Sequence, residues 1–238
     1  WITVQLEQPA TGLPARSRTA LPQPFFPIMN KQTQILSGLY LLTDHHLTDK
    51  VGIVPAVAAA IQGGARIIQY RNKYANRERK LWEIRDLITL CRPLGIPLIV
   101  NDEADLAAET GADGVHLGAE DGTLCDARKL LGEEAIIGVS CYNSLDRARV
   151  AAEQGASYIA LGRFFPSQTK PNAILATPDL LSAAKAELET PLVAIGGIDA
   201  DNGKALVDAG ADMLAVIHAV LGTPEITKSA AEIAALYE

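Results

Sequence analysis

The chain has 238 residues, 48% of them hydrophobic and 21% charged, with a formal net charge of −7. That length suits one large domain with a sizeable core, and the acidic balance argues against broad, non-specific nucleic-acid binding. No apolar run approaches the ~20 residues that a membrane span needs, so a membrane partner is not expected.

The three cysteines, Cys91, Cys125 and Cys141, are odd in number and lack Cys-x-x-Cys spacing. They read as reduced thiols of a cytoplasmic protein, with neither a disulfide framework nor a zinc site. Residues 1–34 hold five prolines and little periodicity, without the basic, apolar and small-residue order of a secretory signal. They read as an extension: a leader, a linker left from a larger protein, or an over-extended start. The domain itself is expected over 35–238.

From Gly38 onward, short apolar runs alternate with amphipathic stretches. In chain order the strand candidates are GLYLLTD (38–44), RIIQYR (66–71), PLIVND (97–102) and GVHLG (114–118), then AIIGVS (135–140), YIALGRF (158–164), PLVAIGGI (191–198) and MLAVIHAV (213–220). Each is nearly continuous in Ile, Val and Leu, as strands buried on both faces of a parallel sheet require. Helix-like segments such as NRERKLWEIRDLITLCRPL lie between them. Eight such units predict an α/β fold, a (β/α)8 TIM barrel, in preference to a doubly wound open sheet. An internal echo agrees: GGARIIQ, TGADGVH, QGASYIA and AGADMLA each put Gly-Ala before an even-numbered strand. The glycine is placed to end the helix in a left-handed cap.

A barrel of this kind builds its active site at the C-terminal strand ends. Collected there are Asp44, the run Gln69-Tyr70-Arg71-Asn72-Lys73, Asn101-Asp102, His116, Asp121, Ser140, Arg163, the stretch Ser167-Gln168-Thr169-Lys170, Gly196-Gly197 and His218. Gln69, Arg71 and Lys73 share the period of two and can face one side. With Lys170 they can neutralise a polyanion. Asp102 and Asp121 could each cap a helix, and either residue taken alone is better read so. Taken with the three cations, they are better read as ligands of a divalent cation that clamps a diphosphate. The glycines after strand seven, with the end of strand eight, suggest a separate monophosphate locus. His116 reads as an inward polar residue of the barrel mouth, and His45 and His46 as solvated. Tyr142 lines the pocket or packs on the next helix. Neither a Ser-His-Asp arrangement in a supporting context nor a dinucleotide fingerprint is present.

At these residues the sequence resembles the thiamine phosphate synthase family, from about Gly38 to near the C-terminus. QYRNK, VND, GADGVHLGAED, IIGVS, FFPSQTK, VAIGGI and the end of strand eight carry the resemblance, in order and on successive strands. It implies a transferase that joins a pyrimidine methyl diphosphate to a phosphorylated thiazole, or its carboxylate, releasing pyrophosphate. By the same resemblance Gln69, Tyr70, Arg71, Asn72, Lys73, Asn101, Ser140 and Lys170 hold the pyrimidine diphosphate. Arg71, Lys73 and Lys170 assist its departure, and Asp102 and Asp121 carry Mg2+. Ser167, Gln168, Thr169, Gly197, Ile217 and His218 receive the thiazole phosphate. In the implied mechanism diphosphate leaves first, and the thiazole nitrogen then attacks a pyrimidine-stabilised cation.

The chain departs from the family pattern at Arg163, where proline is usual, at Ser167 in place of threonine, at Ala119 of GAED in place of glutamine, and at His218 in place of serine. Those at Arg163 and His218 bear on the thiazole side. The competing readings are a thiazole tautomerase-like isomerase, which would lack the paired acids, a non-catalytic phosphate-binding barrel, and a phosphosugar isomerase. The expected partners are small phosphorylated molecules, with no nucleic acid and no membrane. A homo-oligomer stays open, because outer helix faces look alike whether solvated or paired.

Overall fold

The computed structural model of the chain describes residues 36–166 and 175–238. Eight parallel strands close into a barrel in sequence order: β1 (Gly38–Leu42), β2 (Ala65–Tyr70), β3 (Leu98–Asn101), β4 (Gly114–Leu117), β5 (Ile136–Tyr142), β6 (Tyr158–Gly162), β7 (Leu192–Ile195) and β8 (Met213–Val216). The (β/α)8 expectation holds. Every strand candidate falls on an observed strand, with ends that differ by a few residues.

The largest difference is at strand eight, expected to run to residue 220. It stops at Val216, because the Ile217 carbonyl accepts from the N–H groups of Val220 and Leu221 and turns the chain into a short helix. Strand five runs two residues further than expected, through a register shift between Ser140 and Tyr142.

The outer helices are α1 (His45–Thr48), α2 (Ile53–Gln62), α3 (Arg77–Cys91), α4 (Ala104–Thr110), α5 (Leu124–Leu131), α6 (Leu145–Glu153), α7 (Pro178–Glu187), α8 (Gly203–Asp208), α9 (His218–Leu221) and α10 (Ile226–Ala234). Side-chain caps start several of them. Asn76, Thr123 and Ser144 accept from the N–H of Arg79, Asp126 and Arg147 respectively. Such caps are worth about 1 kcal/mol each. The four Gly-Ala junctions behave as the sequence suggests: Gly64, Gly111, Gly155 and Gly210 all have positive φ.

Period-two alternation divides the apolar residues into two cores. Leu39, Leu41, Ile68, Val100, Val115, Ile137, Leu161 and Leu214 face the helices, where Ile84, Leu87, Leu106 and Leu181 meet them. The bore of the barrel is filled by Tyr40, Leu42, Ile67, Ile99, Ile136, Tyr158, Ala160, Val193, Met213 and Ala215. Cys91 and Cys141 are buried, which pushes their thiols up to about 12 and about 11. All three cysteines are free, as expected from their spacing. No helix among the described residues is long and apolar enough to cross a membrane.

Register couples the bore to the site above it. Gly138 on β5 pairs with Tyr158 on β6, and a Cβ added at Gly138 would lie 1.9 Å from the Tyr158 ring. The glycine is therefore what lets a tyrosine lie across the bore. Substituting alanine forces backbone or ring movement, an overpacking cost of about 1–3 kcal/mol. Gly138→Ala is expected to lower the melting temperature by roughly 2–12 °C, at ~2–4 °C per kcal/mol for a domain of this size. A thermal melt checks this, and an unchanged midpoint would mean that the tyrosine is not held there.

Candidate active site

Alternation at the end of β2 sets the character of the barrel mouth. Gln69, Arg71 and Lys73 face the axis and line a cavity of about 770 Å3. Tyr70 and Asn72, placed by sequence in the same binding run, face the opposite way. The Tyr70 hydroxyl donates to Glu83 of α3 at 2.7 Å. The Asn72 amide donates to Glu83, while its oxygen accepts from the N–H groups of Tyr74 and Ala75. They are corrected from substrate contacts to residues that fasten the loop to a helix, because consecutive residues of an extended segment point to opposite faces.

The loop that carries Arg71 is also held by β1. Thr43, fully buried, accepts from the Arg71 N–H at 2.8 Å and donates to the Arg71 carbonyl at 3.2 Å. Asp44 accepts from the His46 N–H to cap α1, and lies 3.8 Å from the Arg71 guanidinium. Neither Thr43 nor this use of Asp44 was read from the sequence. The contacts with Arg71 lie 28 positions from Thr43 and 27 from Asp44, and no local pattern announces them. His46 is exposed as expected, while His45 is half-buried, and both rings lie tilted against that of Tyr74.

The two candidate acids are not helix caps. Thr123 holds the cap position of α5, and Asp121 instead accepts from the Gly118 N–H at 2.8 Å. Glu103 precedes α4, and Asp102 stands outside it with φ 65°. A left-handed non-glycine residue stores of order 1 kcal/mol or more, although aspartate tolerates it better than most. The geometry brings Asp102 into hydrogen-bonding reach of Asp121 and leaves the Lys73 ammonium 3.3 Å from Asp102. Burial, and then the neighbouring Asp102 carboxyl, hold the Asp121 carboxyl above its ordinary value. Burial and the adjacent carboxyl thus disfavour the ionised form of Asp121, and a divalent cation relieves that conflict.

The donor set also fits such an ion. Among the described residues no group of three or more His, Cys, Asp or Glu side chains is arranged to hold a metal. Mg2+ typically takes only one or two carboxylates, with substrate phosphate and water completing its shell.

Below the lip a hydrogen-bonded chain crosses the bore. The Gln69 Nε2 donates to the Tyr40 hydroxyl at 2.8 Å, and the Tyr40 and Tyr158 hydroxyls meet at 2.7 Å. Tyr158 is 3.0 Å from His116 Nδ1, and His116 Nε2 is 2.9 Å from Ser140 Oγ. His116 is thus the inward polar residue that the sequence suggested. The role of Tyr40 and Tyr158 was missed, because they read as ordinary strand residues. Tyr142 does line the cavity, with φ 56° after the register shift in β5 and the Arg147 guanidinium 5.3 Å from its ring centre.

The far side of the cavity is formed by Gly162, Arg163, Gly196, Gly197, Ile217 and His218. A Cβ at Gly196 would lie 2.2 Å from that of Arg163, and one at Gly197 2.4 Å from the Pro166 carbonyl. The sixth and seventh loops therefore meet backbone to backbone, and only glycine fits between them. Asn101 and Ser140 also line the cavity. Ser167, Gln168, Thr169 and Lys170 lie outside the described residues.

Comparison with known proteins places these features in a family. A family model described as thiamine monophosphate synthase matches residues 39–220. A thiamine-phosphate synthase of Marinobacter nauticus is 48% identical over 80% of this chain and 86% of its own. One from Nitrosococcus oceani is 47% identical over 82% of this chain and 90% of its own. A solved thiamine phosphate pyrophosphorylase from Pyrococcus furiosus superposes with a TM-score of 0.77 at 33% identity, covering 87% of this chain and 96% of that one.

The raised Asp121 value carries a sign. A carboxyl whose folded value exceeds its unfolded one contributes stability that is complete below the ordinary value, 3.8, and is lost as pH rises through the raised one. Asp121→Asn removes that loss while keeping an oxygen for the Gly118 N–H. In chelator-treated buffer at pH 7 the variant is expected to melt above the parent chain, with the gap closing as pH falls toward the ordinary aspartate value. Melting curves at several pH values check this. A variant that melts lower throughout would mean that the ionised carboxylate stabilises the fold.

Proposed function

The chain belongs to the thiamine monophosphate synthase family and is a transferase that forms thiamine phosphate; we propose that it does so by letting diphosphate depart from a pyrimidine before the thiazole nitrogen attacks. The observation that carries this reading is the charge arrangement at the lip. Arg71, Lys73, Asp102 and Asp121 line one cavity.

The reaction breaks the bond between the pyrimidine methylene carbon and a diphosphate oxygen, and the electron pair leaves with the diphosphate. The thiazole ring nitrogen then supplies its lone pair to that carbon. No proton is taken from carbon, so stabilising the leaving charge is what the protein must do. Arg71 offers a planar fork and Lys73 a mobile point charge toward the phosphates. Lys170, from the sixth loop, is assigned the same role. Bound at Asp102 and Asp121, Mg2+ would supply further positive charge to the phosphate oxygens.

Gln69, Asn101 and Ser140 are assigned to the pyrimidine half. Ser167, Gln168, Thr169, Gly197, Ile217 and His218 are assigned to the thiazole phosphate, or that of its carboxylate. The glycine-lined meeting of the sixth and seventh loops supports the second placement, since backbone N–H groups approach an anion most closely where no Cβ intervenes. The paired acids favour this reading over the isomerase and non-catalytic ones. The partners are accordingly small phosphorylated molecules.

The test is pyrophosphate release by the purified chain given both substrates, with and without Mg2+. Release that disappears on chelation is expected. Binding of the diphosphate without release would instead support the non-catalytic barrel. Asp102→Ala is expected to lower kcat by about 10²–10³-fold, the scale of losing a charge-stabilising group. Its melting temperature should fall by only a few degrees: Asp102 caps no helix, and the cost is that alanine tolerates the left-handed backbone less well than aspartate. A melting point that collapses in step with activity would return Asp102 to a structural role.

A further inference from the structure

Arg71 and Lys73 each rest against an acid already, and the two acids differ in kind. The Arg71 guanidinium lies 3.8 Å from Asp44, and the two side chains are only 17% and 16% exposed. Asp44 stands outside the cavity lining and caps α1 through the His46 N–H. Arg71 can therefore keep this contact whether or not a ligand is bound. Lys73 is placed otherwise. Its side chain is 51% exposed, and its ammonium lies 3.3 Å from Asp102, one of the two acids assigned to the metal.

Mg2+ sits about 2.0–2.1 Å from the oxygens that hold it. An ion at Asp102 and the Lys73 ammonium would thus share one carboxylate and repel each other at close range. The ammonium's field reaches Asp121 as well. Glu103, the next acid in the chain, is bonded to Lys80 of α3 and so does not take Lys73 in its place. What can draw Lys73 away is a diphosphate, which offers more negative charge than a single carboxylate. The pair itself resists little, because it is partly exposed and ends a flexible four-carbon stem.

We propose that Lys73 is a stand-in for the metal: in the empty site its ammonium holds the place of the divalent cation at Asp102, and it yields that place when a diphosphate draws it off. A lone divalent ion is thereby resisted. An ion that arrives with a diphosphate meets a freed Asp102 and adds its own attraction to the phosphates. Each ligand raises the affinity of the other, and linkage makes the two effects equal. The inference rests on the assignment of Mg2+ to Asp102 and Asp121 and adds to it the condition under which the ion enters.

The test titrates Mn2+, as a probe ion, into the metal-free chain and reads binding by calorimetry, without substrate and at one ionic strength, since salt screens the pair. Lys73→Gln is expected to bind Mn2+ about three- to tenfold more tightly than the parent chain, the scale of removing one charge from a partly exposed pair. Lys73→Arg keeps the charge and should stay close to the parent. Arg71→Gln removes a charge that rests on Asp44 instead, and should gain clearly less than Lys73→Gln. With the pyrimidine diphosphate present at equal concentration, the advantage of Lys73→Gln should shrink, because the parent's lysine has then left Asp102. A Lys73→Gln chain that binds Mn2+ no more tightly overturns the inference. An equal gain in Arg71→Gln overturns it too, since only the general positive field would then matter. So does an advantage that the diphosphate leaves undiminished. If Asp102→Asn binds Mn2+ as the parent does, the ion lies elsewhere, and the metal assignment itself fails.

Discussion

The bore of an eight-stranded parallel barrel is too narrow to stay empty and too enclosed to be wet, so whatever enters it must be apolar or fully hydrogen-bonded. Here two tyrosines enter it. Tyr40 and Tyr158 meet ring edge to ring face, with centroids 5.7 Å apart and hydroxyls in contact. Deeper positions, such as Ile67, Ile136 and Met213, are plain hydrocarbon. The tyrosine rings thus continue the apolar packing while their hydroxyls begin the polar layer beneath the cavity. Gly138, Gln69 and His116 each have their place because that pair is there.

Above this layer the barrel accumulates features that a fold selected for stability alone would avoid. Two carboxyls share one lip, and Asp102 and Tyr142 adopt left-handed backbone conformations. An amide oxygen is also buried without a partner among the described residues. Each is an unfavourable local term of the kind that clusters at functional sites. They are tolerated because the register of eight strands and the hydrocarbon on both of their faces hold the strand ends in place. A bound cation with its anionic ligand would answer the first of these terms, the crowded acids.

Much of the fold is legible in the sequence because burial on both faces leaves a mark that does not depend on partners. A strand such as LIV or LVAI must be continuously apolar wherever it lies in the barrel. The ends of such runs then mark the rim, which is why Arg71, Lys73, Asn101, Asp102, Asp121 and Ser140 could be brought together in advance. What escaped was whatever needs the barrel to be closed. The Tyr40–Tyr158 contact joins residues 118 positions apart, and only the pairing of β1 with β2 and β8, and of β6 with β5 and β7, lets them face each other. Tyr70 and Asn72 show the opposite hazard. They were carried into the site by a contiguous motif, although the alternation of the strand assigns them to the helix side.

The acids make the same point in energetic terms. As sequence, an aspartate shortly before an apolar periodic stretch is a cap, and nothing within ten residues says otherwise. In the folded chain Thr123 already satisfies the α5 start, so Asp121 is released from that task and spends its oxygen on the Gly118 N–H. That bond ties the acid to the end of β4, while the Asp102 N–H, bonded to the His116 carbonyl, ties the other acid to the same strand. Both carboxylates therefore hang from the strand that carries His116, whose ring belongs to the bore. The lip that gathers charge and the hydrogen-bonded layer below it are two faces of one β-strand, and a displacement of β4 must disturb both at once.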